Sequence, residues 1–433
     1  MKPLNHLAIL AIDTSCDDTC ITLLEIRNPA PEQSSVLDQS RTETKFLVRG
    51  LKLEILSNVI SSQIKIHRKW GGVYPTLAKR EHQKNLIPVL RKVLKESNSL
   101  KLDVRRLTGR KRQKEMQIRK LEKILERELQ LSKNLVKFFS KYKKPEIDLL
   151  AVTIGPGLEP CLWVGVNFAK ALAFSWNLPI VPINHIEAHI YANFITRPGL
   201  VVNFPAVCLV VSGGHTQLIL MKDYGEYKIL GETRDDAAGE CFDKVARILG
   251  MGYPGGPAIE AEASKLQATS YLPASRLRSR RWQAGKLQAK LPRPMIYHKN
   301  YDFSFSGLKT AVLYHYQNQL PKIRTSKKYI QEMSAEVQQA IIDVLIHKTI
   351  KAAKEYKAKS IILGGGVVAN RELRKQFQSA INNQQLAIKF LVPPKIFCTD
   401  NAAMVAVAGY SRWLKGEDKN WTEIKAKANI KIC

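Results

Sequence analysis

Residues 7–26, LAILAIDTSCDDTCITLLEI, decide the fold. An apolar run is interrupted by the polar turn DTSCDDT and resumes as CITLLEI, which is the pattern of two strands joined by a turn. Residues 205–221, PAVCLVVSGGHTQLILM, repeat this plan. Two such units in one chain predict a duplicated α/β architecture.

Further strands alternate with helices between and after these units. Residues 149–158, LLAVTIGPGL, predict a strand that ends in a Gly-Pro-Gly turn, and residues 160–176 predict a helix. A short strand follows at 179–183, and residues 360–377, SIILGGGVVANRELRKQF, predict a strand, a glycine turn and a helix. This alternation is typical of the α/β class, in which helices cover the sheets.

The chain carries a large excess of positive charge. It has 433 residues, with 68 Lys and Arg against 38 Asp and Glu, so its net charge is +30. Such an excess favours a polyanionic partner, and we expect a nucleic acid. A generally basic proteome would explain the charge without one. The apolar content of 45% argues against disorder as the dominant state.

The sequence also indicates the cellular compartment of the protein. No apolar run reaches the roughly 18 residues of a membrane helix, and the N-terminal segment has neither a cleavage site nor a transit composition, so we expect a cytoplasmic protein. The cysteines number seven and form no C-x-x-C pair, which indicates neither a disulfide framework nor a thiolate zinc site.

Two basic segments stand apart. Residues 101–145 hold 16 Lys and Arg against 5 Asp and Glu, and their apolar spacing predicts one or two basic helices that project from the body. A charged hairpin packed on its own domain is the alternative. Residues 270–292 predict a basic loop, either a phosphate-binding segment or a disordered surface loop. The candidate nucleic-acid contacts are Arg110, Lys111, Arg112, Arg278, Arg280 and Arg281.

Two histidines are spaced to share a metal ion. His185 and His189 lie in NHIEAHIYAN, where i, i+4 spacing places both rings on one helix face. Asp400, in FCTDNAAMVAVAGY, is either the N-cap of the next helix or a third ligand. Two imidazoles and a carboxylate with open positions suit Fe(II) or a catalytic Zn(II). A histidine pair of this spacing is also common as a purely structural feature.

Glycine turns are the other chemical signal. VVSGGHT, YPGGPAIE and LGGGVVAN each allow a ligand to approach the backbone closely, and backbone N–H groups in such turns bind phosphate. None matches a P-loop or a Rossmann fingerprint. The pattern favours a nucleotide held in a cleft between two lobes.

The sequence resembles the TsaD family over nearly all of residues 7–415, apart from the two basic segments. Ten motifs occur in the family's order: DTSCDDT, GGVYPTLAKREH, TIGPGL, GVNFAKALA, NHIEAH, VVSGGHTQL, DDAAGECFDKVARILGMGYPGGPAIE, DFSFSGLKTA, GGGVVANRELR and CTDNAAMVA. The resemblance implies the two-lobed actin-like fold, with a ribonuclease-H-like domain in each lobe. The expected divisions are an N-terminal lobe 1–200 with the insertion 101–145, a C-terminal lobe 201–410 with the loop 270–292, and a C-terminal helix and tail 411–433.

The resemblance also implies a reaction. A TsaD protein transfers threonylcarbamoyl from threonylcarbamoyl-AMP to the exocyclic amine of adenosine 37, in tRNAs that read codons beginning with A, and forms t6A. The implied partners are tRNA, a TsaB-like paralogue and a TsaE-like ATPase, with no membrane. The implied cofactor is one divalent ion, Fe or Zn, on His185, His189 and Asp400. The implied substrate-binding residues are Val210, Val211, Ser212, Gly213, Gly214, Asp243, Gly256, Glu260 and Asn370.

Three departures from the family and an open question remain. The family usually has Glu where Asp13 and Asp18 stand, and often Asp where Glu260 stands, so a bond from Glu260 to a ribose hydroxyl requires the loop to shift. The general base is not identified; the candidates are Asp13, Asp17 and Glu187.

Two other enzyme classes compete with this interpretation. A metallopeptidase shares the metal but requires H-E-x-x-H, whereas Glu187 stands two residues after His185 and points away from the shared helix face. A kinase or ATPase of the actin-like fold explains the glycine turns but gives no role to the paired histidines or to the positive charge.

Overall fold

Two five-stranded sheets form the body of the molecule. A computed structural model describes residues 6–27, 52–103, 111–269 and 291–433. The first sheet contains β1 (His6–Asp13), β2 (Asp18–Arg27), β3 (Lys52–Ser62), β4 (Leu149–Gly155) and β5 (Ile180–Asn184). The second contains β6 (Ala206–Val211), β7 (Thr216–Asp223), β8 (Glu226–Glu232), β9 (Ser360–Gly364) and β10 (Lys389–Leu391).

Helices cover both sheets. In chain order they are α1 (Ile64–His67), α2 (Pro75–Glu96), α3 (Lys111–Ile124), α4 (Leu129–Lys141), α5 (Glu159–Trp176), α6 (His185–Tyr191), α7 (Ala238–Ile248), α8 (Gly255–Thr269), α9 (Ser306–Gln317), α10 (Pro321–Arg324), α11 (Lys327–Glu355), α12 (Arg371–Asn383) and α13 (Ala402–Leu414). The strands and helices predicted around the two repeated units are therefore present.

The two sheets have the same topology. The strand order is β3-β2-β1-β4-β5 in one and, in the matching direction, β8-β7-β6-β9-β10 in the other. In each, the first three strands of the chain pair antiparallel and the last two add in parallel. The two sheets thus share one strand order, and this mixed α/β arrangement fits a two-domain, actin-like fold.

Strand β1 has a continuous apolar sequence in which polar residues do not alternate with apolar ones. Leu7, Ile9 and Ala11 pack into a core between the two sheets, and Ala8 and Leu10 pack into a second core under α2 and α5. Because both faces of the sheet are covered, both sets of side chains are buried and the strand reads as a continuous apolar run.

Helices α6 and α13 lie in the layer between the sheets. Every residue from Ala402 to Ser411 is buried, and α13 packs on β1, β2, β4 and β5 although it follows the second sheet in the chain. The sequence division expected at residue 410 falls within this helix. The C-terminal part of the chain thus returns to the first sheet and joins the two halves.

The prediction of projecting basic helices is wrong. Leu121 of α3 and Leu125, which directly follows α3, are buried in the same core as Leu135 and Phe138 of α4. Helix α3 packs on α4 and α5, and α4 packs on α2. Burial of these apolar side chains stabilises the helices more than projection into water would. This outcome corresponds to the packed alternative.

Most of the candidate nucleic-acid contacts lie outside the described residues. This applies to Arg110 and to Arg278, Arg280 and Arg281, whereas Lys111 and Arg112 begin α3. All seven cysteines lie within the described ranges and are free thiols. Within those ranges no helix has both the length and the apolar character that crossing a membrane requires.

Helix α13 approaches the first sheet closely at Gly409. A Cβ atom at this position would lie 2.7 Å from Cβ of Ala151 in β4. We expect Gly409→Ala to lower the free energy of unfolding by about 1–3 kcal/mol, because overpacking outweighs the better helix propensity of alanine. Urea denaturation measures the change.

Gly307 in α9 provides the matched control. It is exposed, and the nearest atom to an added Cβ would be 3.9 Å away. Gly307→Ala should leave stability unchanged or raise it by up to about 1 kcal/mol. Equal effects of the two substitutions would show that α13 can move away from the sheet without cost.

Candidate metal centre

Helix α6 begins where the sequence places a cap. The side chain of Asn184 accepts hydrogen bonds from the backbone N–H groups of Ile186 at 2.9 Å and Glu187 at 3.3 Å. The helix then presents His185 and His189 on one face, with their ring centroids 4.7 Å apart. The local sequence alone therefore sets the spacing of the two imidazoles.

Asp400 joins this pair from the start of α13. Its Oδ1 lies 3.5 Å from Nε2 of His185 and 3.4 Å from Nε2 of His189. The N-cap of α13 is Asn401, whose Oδ1 accepts from the N–H of Met404 at 3.1 Å, so the Asp400 carboxylate is not used as the cap. One ligand atom from each of the three residues lies within 4.8 Å of the other two.

Three of the four imidazole nitrogens of this cluster are buried without hydrogen-bond partners among the described residues. Both ring nitrogens of His189, Nδ1 of His185 and Oδ2 of Asp13 have no such partner among the described residues. Buried polar atoms of this kind cost free energy unless something binds them. Two imidazoles and a carboxylate are a suitable donor set for a divalent transition metal, so the residues present fit a metal ion.

The electrostatics of the cluster favour positive charge. Burial lowers the pKa of His185, but the carboxylates of Asp13 and Asp400 more than reverse this and raise it to about 9. Burial raises the pKa of Asp400, yet the two imidazoles hold it below its ordinary value. The same carboxylates would stabilise a bound cation.

Asp13 and Ser15 complete the surroundings of His185. Asp13 ends β1; its Oδ1 accepts from the N–H of Ser15 at 3.1 Å and its Oδ2 lies 3.5 Å from Nδ1 of His185. The hydroxyl of Ser15 lies 3.5 Å from Nε2 of His185. Sequence reasoning named Asp13 but missed Ser15, although it belongs to the DTSCDDT turn.

Glu187 makes its contacts on the side of α6 away from the histidines. It is 1% exposed; its carboxylate accepts from Nε of Arg412 at 2.9–3.0 Å and from the hydroxyl of Tyr227 at 3.0 Å. Nη1 of Arg412 also donates to Glu417. These four residues form an ion-pair cluster that joins α6 to α13, and the peptidase alternative finds no free general base in Glu187.

The ion-pair cluster matters because α6 and the N-terminal end of α13 carry all three candidate ligands. A second bond, between the hydroxyls of Tyr191 and Ser411 at 2.7 Å, links the same two helices. The distance between Asp400 and the histidines is thus set by contacts outside the cluster itself. No sequence motif indicated Arg412, which lies on the helix that follows Asp400.

The glycine turn after β6 lies beside the metal centre. Ser212 to Gly214 leave open space where side chains would stand at the two glycines. Gly365, with φ +95°, contacts the carbonyl of Val211 so closely that a Cβ would lie 2.3 Å from it, and a Cβ on Gly364 would lie 2.7 Å from the carbonyl of His189. The end of β9 therefore touches α6 at Gly364, and the following Gly365 touches the end of β6 just before the turn.

His215 follows this turn and was not identified from the sequence. Burial, together with the nearby His185 and His189, lowers its pKa to about 4. The backbone N–H of His215 donates to Oγ of Ser212 at 3.1 Å. The imidazole is therefore neutral near pH 7 and belongs to the electrostatic surroundings of the metal centre.

The remaining predicted substrate residues meet around the ends of α7, α8 and α12. Oδ1 of Asp243 accepts from the N–H of Gly255 at 2.6 Å, and Oε1 of Glu260 accepts from the N–H of Arg371 at 2.9 Å. Asn370 caps α12 through Leu373 N–H and donates to Gln338. A Cβ atom added at Gly256 would have no atom within 4 Å among the described residues.

The polar turn after β1 concentrates carboxylates. Burial raises the pKa of Asp17 above its ordinary value and that of Asp18 to about 7. Thr19 and the carbonyl of Cys16 are bonded to His82 of α2, at 2.8 and 3.0 Å, which fixes the turn on the first lobe. Of the three candidate bases, Glu187 lies in a buried ion pair and Asp13 lies beside the candidate ligand His185. Asp17 is in neither position.

The chain matches the sequence model of a known protein family. The sequence model of the TsaD family, described as tRNA N6-adenosine threonylcarbamoyltransferase, matches residues 54–107 and 129–407. The part between these ranges, 108–128, contains α3, whereas α4 lies inside the second match. Between its two matched ranges the family model leaves only 108–128 unmatched, which is shorter than the basic stretch 101–145.

Curated relatives match over nearly the whole chain. Proteins named tRNA N6-adenosine threonylcarbamoyltransferase from Persephonella marina and Thermosipho africanus are 38% and 39% identical, over 98% of this chain and 95% and 99% of their own lengths. One of the same name from Syntrophomonas wolfei is 39% identical over 92% of this chain and 90% of its own.

The ion-pair cluster can be tested by a double-mutant cycle. Arg412→Met leaves the buried Glu187 carboxylate uncompensated and should cost about 3–5 kcal/mol in urea unfolding. Adding Glu187→Gln should recover part of that loss, because the uncompensated charge is removed. Glu417→Gln is the control and should cost no more than about 1 kcal/mol, since Glu417 is partly exposed. Additive costs for Arg412 and Glu187 would contradict this coupling.

Proposed function

The chain belongs to the TsaD family of tRNA N6-adenosine threonylcarbamoyltransferases, and on that basis we propose that it transfers threonylcarbamoyl from threonylcarbamoyl-AMP to adenosine 37 of tRNAs that read ANN codons. The product is t6A. One observation carries the site assignment: His185, His189 and Asp400 come together from distant parts of the sequence, with their ligand atoms within 4.8 Å. The identical topology of the two sheets supports a ribonuclease-H-like domain in each lobe.

The three residues would hold one divalent ion, Fe or Zn. Such an ion supplies Lewis-acid stabilisation for oxygen atoms of the acyl-adenylate. The protein contributes the fixed positions of the ligands, through the N-cap of α6 and the ion-pair cluster. Asp13 faces Nδ1 of His185, whereas the hydroxyl of Ser15 lies beside Nε2, the nitrogen that also faces Asp400.

The acyl-adenylate fits the open turns of the second lobe. The Ser212 N–H donates to the carbonyl of His215 at 2.8 Å, so the donors for its phosphate or carbonyl oxygens would be the N–H groups of Gly213 and Gly214, where an added side chain would meet open space. Asp243 and Glu260 are each fixed by one backbone N–H, which holds the carboxylates ready for the nucleoside. The side chain of Asn370 already accepts the N–H of Leu373 as the cap of α12. Its role is therefore either to position the start of α12 or to give up that hydrogen bond for one to the substrate.

The acceptor sets the remaining requirement. The exocyclic nitrogen of adenine is a poor nucleophile because its lone pair is delocalised into the ring, and the mixed anhydride is readily hydrolysed. The site must therefore orient the two reactants and exclude water rather than supply a strong base. Asp17 is the carboxylate best placed to accept the released proton.

The partners follow from the chemistry and the family. We propose tRNA as the substrate, in agreement with the net charge of +30, and a TsaB-like paralogue and a TsaE-like ATPase as protein partners in the cytoplasm. A pull-down with the full chain tests for these two protein partners.

The decisive experiment measures t6A in tRNA nucleosides by mass spectrometry. Unmodified tRNA is incubated with threonine, bicarbonate, ATP and the adenylate-forming synthase, with the expected partners, in the presence and absence of the chain. We expect t6A only when the chain is present. Steady ATP hydrolysis without t6A would instead support an ATPase, and metal-dependent protein cleavage a peptidase.

The metal centre is tested in the same assay. His189→Ala removes a buried ligand and should lower both the bound metal per chain and the t6A rate by at least about a hundredfold. Bound metal is measured by atomic emission. His298→Ala alters an exposed histidine outside the site and should change neither quantity. Full t6A formation by the His189 variant would exclude the proposed metal site.

A further inference from the structure

Two large aromatic side chains stand exposed next to each other on the first lobe. Trp70 is 66% exposed and Tyr74 is 57% exposed, and their ring centroids are 5.9 Å apart at an interplanar angle of 31°. Exposed aromatic rings in mutual contact cost hydration free energy and mark a surface that binds something. The proposed chemistry of the metal centre gives these two residues no role. We refer to this pair as the aromatic platform.

The platform is held by a buried histidine. Trp70 ends a short 3-10 helix that begins at Arg68, and Gly71 turns the chain with φ +65°. Nδ1 of His67 accepts from the N–H of Tyr74 at 3.3 Å, while its Nε2 is bonded to Oε1 of Gln63 at 3.1 Å. The two rings are thus preorganised, and binding to them costs little ordering entropy.

Positive charge surrounds the platform. Arg68 and Lys69 precede Trp70 and are exposed, and the exposed Arg247 of α7 bonds to the carbonyl of Gly71. In the described part of the chain, no carboxylate forms an ion pair with any of these three cations. Aromatic faces beside unpaired cations match the bases and phosphates of a single-stranded nucleic acid.

The platform borders the proposed adenylate site. Nε of Arg68 donates to the carbonyl of Tyr253 at 3.1 Å, across from the first lobe to the second. Tyr253 begins the YPGG turn, whose Gly255 N–H is bonded to Asp243. A polynucleotide lying on Trp70 would therefore pass the edge of the cleft in which the acceptor adenosine must react.

We propose that Trp70 and Tyr74 stack unpaired bases of the tRNA loop that carries the acceptor adenosine, while Arg68 and Lys69 contact the adjoining phosphates. This inference rests on the proposed function and assigns a surface to its substrate. A protein partner is the less suitable occupant, because Arg68, Lys69 and Arg247 place positive charge beside the rings, and charged residues are depleted at the core of protein interfaces.

The test measures the affinity of the full chain for a fluorescently labelled tRNA anticodon stem-loop by anisotropy. Trp70→Ala and Tyr74→Ala should each weaken binding about tenfold or more, because each removes a stacking face. Trp70→Phe keeps a face and should retain most of the affinity. Tyr297→Ala, which alters an aromatic residue that is 84% exposed, is the control and should have no effect.

Salt dependence separates stacking from charge. The slope of log affinity against log salt should be unchanged by Trp70→Ala and reduced by about 1 in Lys69→Ala. A blunt duplex of the same length should bind wild type and Trp70→Ala equally. Unchanged loop affinity in both alanine variants of the platform overturns the inference, as does an equal loss for duplex and loop, or no loop binding by the wild type.

The two proposals fail separately. If wild type forms t6A while the alanine variants bind the loop normally, the platform is wrong and the function stands. If wild type forms no t6A but its loop binding depends on Trp70, the chain is an RNA-binding protein with a different reaction.

Discussion

The structure depends on one constraint: imidazole nitrogens and carboxylate oxygens are buried together without enough hydrogen-bond partners of their own. His189 has neither ring nitrogen bonded within the described residues, and Asp13 keeps one oxygen unpaired beside His185. A fold that buries such a group must compensate it, and a divalent cation would do so for the whole cluster at once. The layer between the sheets is built to maintain this arrangement.

The short motif NHIEAH divides its work between two faces of one helix. Its histidines face Asp400, whereas Glu187 between them is bound by Arg412 and Tyr227. The same seven-residue helix α6 therefore supplies ligands and anchors itself to α13. Because α13 packs on the first sheet and follows the second in the chain, the ligands connect the two halves of the molecule.

Local patterns predicted what local physics determines. The apolar runs on either side of the DTSCDDT turn predicted β1 and β2, and i, i+4 spacing predicted the common face of the histidines. Long-range pairing was beyond such patterns: nothing in the sequence near Arg412 indicates its bond to Glu187. The basic stretch 101–145 shows the same limit. Its apolar spacing predicts a helix but does not indicate which surface covers Leu121 and Leu125.

X-ray absorption spectroscopy of the metal-loaded chain reports whether two imidazoles and a carboxylate bind one ion. We expect a first shell of nitrogen and oxygen at about 2.0–2.2 Å, with multiple scattering from two imidazoles in the wild type and from one in His189→Ala when that weaker-binding variant is loaded at saturating metal. A sulfur shell near 2.3 Å, or a spectrum unchanged by that substitution, would contradict this prediction.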